Sequence, residues 1–110
     1  MYRDKIGREI QYDELEVLIC HPGYKIVKQE QLGPYFISTV WLGVPHGLDR
    51  SCYFETMVFT EYTEYVEIGE QIMECTRYYT LKEAEEGHEN VVRCLVDSTG
   101  IRRSEERNRK

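Results

Sequence analysis

Two strand patterns joined by a short connection constrain this chain more than any other feature. "YFISTVWLG" (35–43) and "CYFETMVFT" (52–60) are rich in β-branched and aromatic residues, and their side chains alternate between two faces. Residues 44–51 between them are too few for the crossover that parallel strands need. We therefore predict an antiparallel pair, with 35–43 as a central strand covered at least in part on both faces and 44–51 as a candidate functional loop.

Three other short segments also read as strands. They are "LEVLIC" (15–20), "YKIVKQEQL" (24–32) and "IMECTRYYT" (72–80), bounded by turn signals at His21-Pro22-Gly23 and Gly33-Pro34. The polar start of the chain predicts a frayed segment or a short helix around Ile6 to Leu15.

The clearest helix pattern covers residues 81–96. Thr80 and Glu83 fit a capping box, in which each side chain accepts a hydrogen bond from a backbone amide at the helix start. One apolar stripe is formed by Ala84, His88, Val91, Val92 and Leu95. Gly100 is placed to end the helix.

These elements predict an α+β fold: an antiparallel meander of about five strands with one C-terminal amphipathic helix packed on one face. At 110 residues the chain is long enough for one compact domain, which we assign to 1–100. Residues 101–110, "IRRSEERNRK", are expected to be a charged, mobile tail. The sheet face opposite the helix needs a cover, which favours self-association as a homo-oligomer.

Charge is distributed unevenly along the chain. The net charge is −6, but between Glu55 and Glu89 ten glutamates face only Arg77 and Lys82, a local net of −8. Such acidity disfavours direct nucleic-acid binding, which needs basic side chains to displace counterions. It suits a protein partner with a basic surface, although it could also serve solubility alone.

Tyrosines accompany these acids, and nine occur in the chain. An acidic, tyrosine-rich surface offers ring faces and carboxylates to an arginine-rich partner, whereas ordinary half-buried sheet tyrosines are the simpler alternative. The candidate partner-binding residues are Glu61, Tyr62, Glu64, Tyr65, Glu67 and Glu70.

Nothing in the sequence indicates export or membrane insertion, because the charged N-terminus lacks a signal pattern and no apolar run is long enough to span a bilayer. We expect a soluble cytoplasmic protein. Four cysteines, Cys20, Cys52, Cys75 and Cys94, form no C-x-x-C pair and are expected to be free, buried thiols. No metal-binding or cofactor-binding motif is present, so we predict neither a metal nor a cofactor.

His88 is the most unusual titratable residue, since it lies in the apolar stripe directly after Gly87. The glycine would let the helix approach the sheet closely. A core histidine bonded to a strand carbonyl or a tyrosine hydroxyl is one interpretation. The other joins His88 to Glu55 and Arg77 in a buried polar triad or, with His46, in a general acid/base site of a small hydrolase.

A third hypothesis is a small-ligand or nucleotide sponge. Trp41, His46, Arg77 and His88 would line its pocket, between sheet and helix or between two protomers. Trp41, the only tryptophan, is otherwise expected to be a packing anchor.

Several motifs resemble a family of small uncharacterised phage and prophage proteins. Its members carry S-T-V-W-L-G, a histidine, F-E-T-M-V-F, R-Y-x-T and a helix containing G-H; here these are Ser38–Gly43, His46, Phe54–Phe59, Arg77–Thr80 and Gly87-His88. The resemblance covers roughly residues 36–95. This chain departs from it at Pro45, where an acid is expected, and in an expanded acidic segment 61–71.

The resemblance implies a phage accessory gene and no established activity. Small acidic phage proteins often inhibit host defence systems, including CRISPR systems, which is an analogy of class. The leading hypothesis is a non-enzymatic, phage-encoded binding protein that acts in the host cytoplasm on a host protein, such as a nucleic-acid-handling or defence component.

Overall fold

The structure is a computed structural model that describes residues 1–21, 23–46, 51–60 and 72–103, without the side chains of His46 and 72–75. Its elements in chain order are β1 (Tyr2–Arg3), β2 (Glu9–Ile10), α1 (Tyr12–Cys20), β3 (Ile26–Leu32), β4 (Tyr35–His46), β5 (Cys52–Thr60), β6 (Ile72–Tyr78) and α2 (Leu81–Thr99).

The main sheet is an antiparallel meander in the order β3-β4-β5-β6. Thr39 pairs with Thr56, and Ile37 pairs with Val58, so these four side chains point to the same face. A separate two-stranded hairpin is formed by β1 and β2. The predicted α+β class, the antiparallel meander and the C-terminal helix are confirmed, and β4 is a central strand as expected.

Segment 15–20 forms the second half of helix α1, so its prediction as a strand is wrong. Leu15 is buried, whereas Val17 is 67% exposed and Ile19 is 44% exposed. An apolar run of six residues fits a strand or a helix equally well, because it is too short to show which of the two periods its apolar residues follow. In the helix, Leu15 and Leu18 lie on the same side, and both contact the core.

Helix α2 begins where the sequence predicts and has the predicted caps at both ends. The Thr80 hydroxyl accepts a hydrogen bond from the Glu83 amide at 3.1 Å, and the Glu83 carboxylate accepts one from the Tyr79 amide at 3.0 Å. Gly100 adopts a left-handed conformation with φ of 79° and donates its amide to the Val96 carbonyl. The helix ends at Thr99, three residues beyond the predicted end.

Close approach of α2 to the sheet depends on Gly87. A Cβ atom built there would lie 2.1 Å from the ring of Tyr78 on the adjacent β6. No side chain fits at that distance, so the tyrosine ring lies directly against the helix backbone. This contact confirms the role expected of the glycine and brings the neighbouring His88 onto the strands.

The core lies on one face of the sheet, in two clusters. The first includes Trp41 and Phe54 and is covered by Leu15 of α1, Ile10 of the hairpin and Ala84 of α2. In the second, Ile37 and Val58 pack against Val91 and Val92 of α2, together with Leu32. Among the residues that the structure describes, both helices lie on this face, so the expected cover on both faces of β4 is seen on one only.

Two smaller expectations need correction. Cys20 and Cys94 are exposed and Cys52 is half-buried. The prediction that these free thiols are buried core residues is therefore wrong. The first residues of the expected tail contact the domain: Ile101 packs on the second cluster, and Arg103 bonds to β3 and α2. Ordered contacts therefore continue at least three residues past the predicted domain end at 100.

None of the helices in the described ranges has a stretch long and apolar enough to cross a membrane.

Candidate functional site

A chain of polar side chains runs through the interface between α2 and the sheet, with His88 at its centre. His88 is fully buried, and its Nδ1 lies 2.7 Å from the hydroxyl of Thr39 on β4. That hydroxyl is also hydrogen-bonded to the hydroxyl of Thr56 on β5. On the other side, His88 Nε2 lies 3.0 Å from Oε1 of Glu30 on β3. One imidazole thus connects three strands and a helix.

The direction of these hydrogen bonds follows from their chemistry. An ionised Glu30 only accepts, so His88 Nε2–H donates to it. In neutral histidine the other nitrogen then accepts, so Thr39 donates to Nδ1 and accepts from Thr56. Burial lowers the pKa of His88, against the opposing effect of its bond to Glu30. The imidazole is therefore neutral in the folded protein at pH 7.

The series of hydrogen-bonded side chains continues from Glu30 to the surface through Arg103. Its guanidinium donates to Glu30 at 2.7 and 2.9 Å and to Oε1 of Glu89 on α2 at 2.6 Å. Lys28 on β3 also pairs with Glu89. We call the set Thr56, Thr39, His88, Glu30, Arg103, Glu89 and Lys28 the His88 network.

Both carboxylates of the network are held ionised. Burial acts to raise the pKa of Glu30, but hydrogen bonds from Arg103 and His88 outweigh it and leave that pKa below its usual value. Hydrogen bonds from Arg103 and Lys28 lower the pKa of Glu89 to about 2. The network thus joins neutral polar groups in the interior to paired charges at the edge.

The predicted triad of Glu55, Arg77 and His88 is only partly formed. Glu55 and Arg77 are register partners on β5 and β6, and their side chains form an ion pair at 3.2 Å. His88 cannot reach them, because Glu55 pairs with Val40 and so points to the face opposite Thr39 and α2. His88 therefore has Thr39 and Glu30 as partners, where a strand carbonyl, a tyrosine hydroxyl or Glu55 was expected.

The Thr39–His88–Glu30 arrangement has the residue types of a hydroxyl–imidazole–carboxylate triad, but its hydroxyl and imidazole are not accessible to solvent. Thr39 and His88 are both 0% exposed. A substrate could reach the hydroxyl only if α2 separated from the sheet. What the arrangement can do is fix the position of α2 on the strands and attach the segment after α2 to both.

The residues of the predicted ligand pocket do not come together. Trp41 is 1% exposed, stacks edge-on against Tyr24 and donates its Nε1–H to the Arg3 carbonyl at 2.8 Å, which confirms it as a packing anchor. Arg77 lies on the opposite face of the sheet from His88. The backbone of His46 ends β4, and its side chain lies outside the described part of the structure.

A cavity of about 720 Å³ lies elsewhere, where the hairpin meets the start of α2. Arg3 and Lys5 of the hairpin segment line it together with Tyr53, Tyr79 and Thr80. Within the described ranges, no group of three histidine, cysteine or carboxylate side chains is placed to hold a metal ion.

The sheet face opposite the helices carries a second candidate surface, which we call the open sheet face. Pairing register places on it Gln29 and Gln31 of β3, Phe36, Ser38 and Val40 of β4, Glu55, Met57 and Phe59 of β5, and Arg77 of β6. Phe36 and Phe59 stack with ring centroids 6.5 Å apart. The apolar members are half-buried and belong to neither core cluster.

The predicted partner-binding residues Glu61, Tyr62, Glu64, Tyr65, Glu67 and Glu70 lie outside the described residues. Of the acidic stretch from Glu55 to Glu89, the structure places Glu83, Glu85 and Glu86 on the exposed side of α2.

Four residues that the sequence did not predict as partners of His88 belong to its network: Glu30, Thr39, Thr56 and Arg103. One signal for the threonines was present, since alternation puts Thr39 on the face of Trp41 and Thr56 on the face of Phe54. No local pattern identifies Glu30 or Arg103.

Comparison of this chain with protein-family models, curated proteins and solved structures finds no match.

Proposed function

We propose that this protein is a non-enzymatic binding protein that captures another protein through acidic side chains. The carrying observation is the local net charge of −8 between Glu55 and Glu89, part of which lies on the exposed side of α2. A partner with a basic surface, such as a protein that handles nucleic acid, complements this charge. The buried state of His88 and Thr39 supports binding over catalysis, because their polar atoms are committed to each other and to Glu30.

The biological setting is part of the same proposal. The motifs shared with small phage and prophage proteins favour an accessory gene that acts in the cytoplasm of an infected cell. Capture of a host defence or nucleic-acid-handling protein would then inhibit it. Support for this setting comes from the motif resemblance and the acidity of the chain.

Charge reversal with a matched control tests the proposal. The wild-type chain, immobilised and exposed to host lysate, is expected to capture a specific protein, and Glu64→Lys, Glu67→Lys and Glu70→Lys together should abolish capture. A triple variant of Asp13, Glu14 and Glu16 to lysine on α1 makes the same change in net charge and should retain it. Unchanged capture by the first variant, with both variants folded, would contradict the proposal.

The cavity beside the hairpin favours a second candidate function, the binding of a small anionic ligand such as a nucleotide. Its volume of about 720 Å³ lies within the range of known ligand pockets, and among its described lining residues the basic Arg3 and Lys5 outnumber one carboxylate, Asp4. A thermal-shift screen against nucleotides and cyclic nucleotides tests it, since a bound ligand raises the melting temperature. A shift that Arg3→Gln abolishes supports this candidate, and the absence of any shift rejects it.

A further inference from the structure

The open sheet face differs in charge from the rest of the molecule. Within the described residues, its charged side chains are Glu55 and Arg77, which form an ion pair and cancel. The helix side is acidic: α1 carries three carboxylates and no basic residue, while α2 carries five carboxylates and two basic residues. Among the described residues, a neutral, partly apolar face on one side of the sheet thus contrasts with negatively charged helices on the other.

We infer that the open sheet face is the interface of a homodimer in which the sheets of two copies pack face to face. Two copies of an acidic chain repel each other, and the neutral face is where they can meet with the least like-charge contact. A two-fold axis also suits a face that carries both signs, since Glu55 of one copy can approach Arg77 of the other. The inference does not depend on the proposed partner.

The chemistry of the face fits sheet-on-sheet packing. Phe36, Val40, Met57 and Phe59 alternate with inward side chains on the two central strands, β4 and β5, as in the inner layers of a β-sandwich. Polar groups interrupt these side chains on the same two strands, since Ser38 lies between Phe36 and Val40 on β4, and Glu55 lies two residues before Met57 on β5. Gln29, Gln31 and Arg77 add polar groups on the edge strands β3 and β6. Such a mixture of apolar and polar side chains is usual in the interfaces of partners that also exist separately.

The size of the face sets the expected affinity. Four strands of at least seven residues, about 4.8 Å apart with about 3.3 Å per residue, project to roughly 450 Å². A standard stable interface buries about 800 Å² on each partner. We therefore expect a dimer with a dissociation constant in the micromolar range.

Sedimentation of the full chain from about 1 to about 200 µM, a range that brackets this constant, tests the inference. The average mass should rise from 13.1 kDa toward twice that value. Phe36→Lys or Met57→Lys should weaken the dimer at least about tenfold, because each removes an apolar contact and puts two like charges into the interface. Val17→Lys is the control, since this residue is 67% exposed on α1 and should leave the dimer intact.

Folding of each variant is checked by circular dichroism, and a measurement on the wild type removes any dependence on the variants. In a mixture of isotope-labelled and unlabelled copies, filtered nuclear Overhauser spectra should show contacts between the Met57 methyl group of one copy and the rings of Phe36 or Phe59 of the other. A mass of 13.1 kDa at every concentration overturns the inference. A dimer that lacks these contacts, or that only Val17→Lys disrupts, overturns it as well.

Discussion

His88 places a titratable ring in the buried interior of the protein. Its side chain is 0% exposed and has a partner at both nitrogens. A buried polar group without partners is costly, so each bond made by the ring offsets part of its desolvation. At this scale the residue acts as a connector whose chemistry is used inside the fold.

The neutral state of His88 predicts how stability depends on pH. Because burial holds its pKa in the folded protein below the usual value, the unfolded chain binds the additional proton as the pH falls below about 6.5. The stability contributed by neutral His88 is therefore fully present above that pH and lost below it. The free energy of unfolding of the wild type, measured in urea at about pH 7.5 and about pH 5.5, should fall more steeply than that of His88→Leu. Parallel profiles would contradict a neutral, buried ring.

Glu89 predicts a second, more acidic transition. Its pKa of about 2, set by bonds from Arg103 and Lys28, lies below its value in the unfolded chain. The stability from this carboxylate is present above about pH 4.5 and is lost as the pH falls toward 2. Glu89→Gln should therefore flatten the acid limb of the stability curve while leaving the change between about pH 7.5 and about pH 5.5 as in the wild type. An unchanged acid limb would show that the ion pairs do not persist in solution.

At the scale of elements, the contact between the Gly87 backbone and the Tyr78 ring sets how closely helix α2 approaches β6. Gly87→Ala should lower the free energy of unfolding by roughly 1–3 kcal/mol through overpacking against Tyr78, although alanine gains about 1 kcal/mol in helix propensity. Glu86→Ala is the control, because it places an alanine at an exposed position of the same helix, next to Gly87, and removes only an exposed ion pair with Lys82. Equal or greater stability of Gly87→Ala would show that the helix does not lie this close to β6.

The segment after α2 is attached to the domain by Ile101, which packs on the second core cluster, and by the several hydrogen bonds of Arg103. Arg103→Gln should lower the free energy of unfolding by roughly 1–3 kcal/mol, because Glu30 and Glu89 each lose a charged donor. Arg93→Gln serves as the control, since the exposed Arg93 bonds to Asn90 within the same helix. If Arg103→Gln lowers the free energy of unfolding no more than Arg93→Gln does, the bonds of Arg103 do not attach residues 101–103 to the domain.

At the scale of the whole molecule, the sequence predicts what is local and fails on what is distant. Thr80 and Gly100 mark both ends of α2 because caps are local signals, and alternation predicts β4 and β5. Helix α1 was predicted as a strand because its apolar run spans less than two helical turns. His88 lies 58 residues from Glu30 and 49 from Thr39, and no local pattern links them. The alternation of side chains along β5 puts Glu55 on the face opposite Phe54. It therefore separates Glu55 from a helix that packs on the Phe54 face.

The His88 network joins the sheet, helix α2 and the C-terminal segment into one unit and is separate from the Glu55–Arg77 pair. Double-mutant cycles measured by urea unfolding test this connection. The cycle of His88→Leu with Glu30→Gln should give a coupling energy of roughly 1–3 kcal/mol, and that of His88→Leu with Glu55→Gln should be zero within about 0.5 kcal/mol. Strong coupling of His88 to Glu55, or none to Glu30, would show that the network is not arranged in this way.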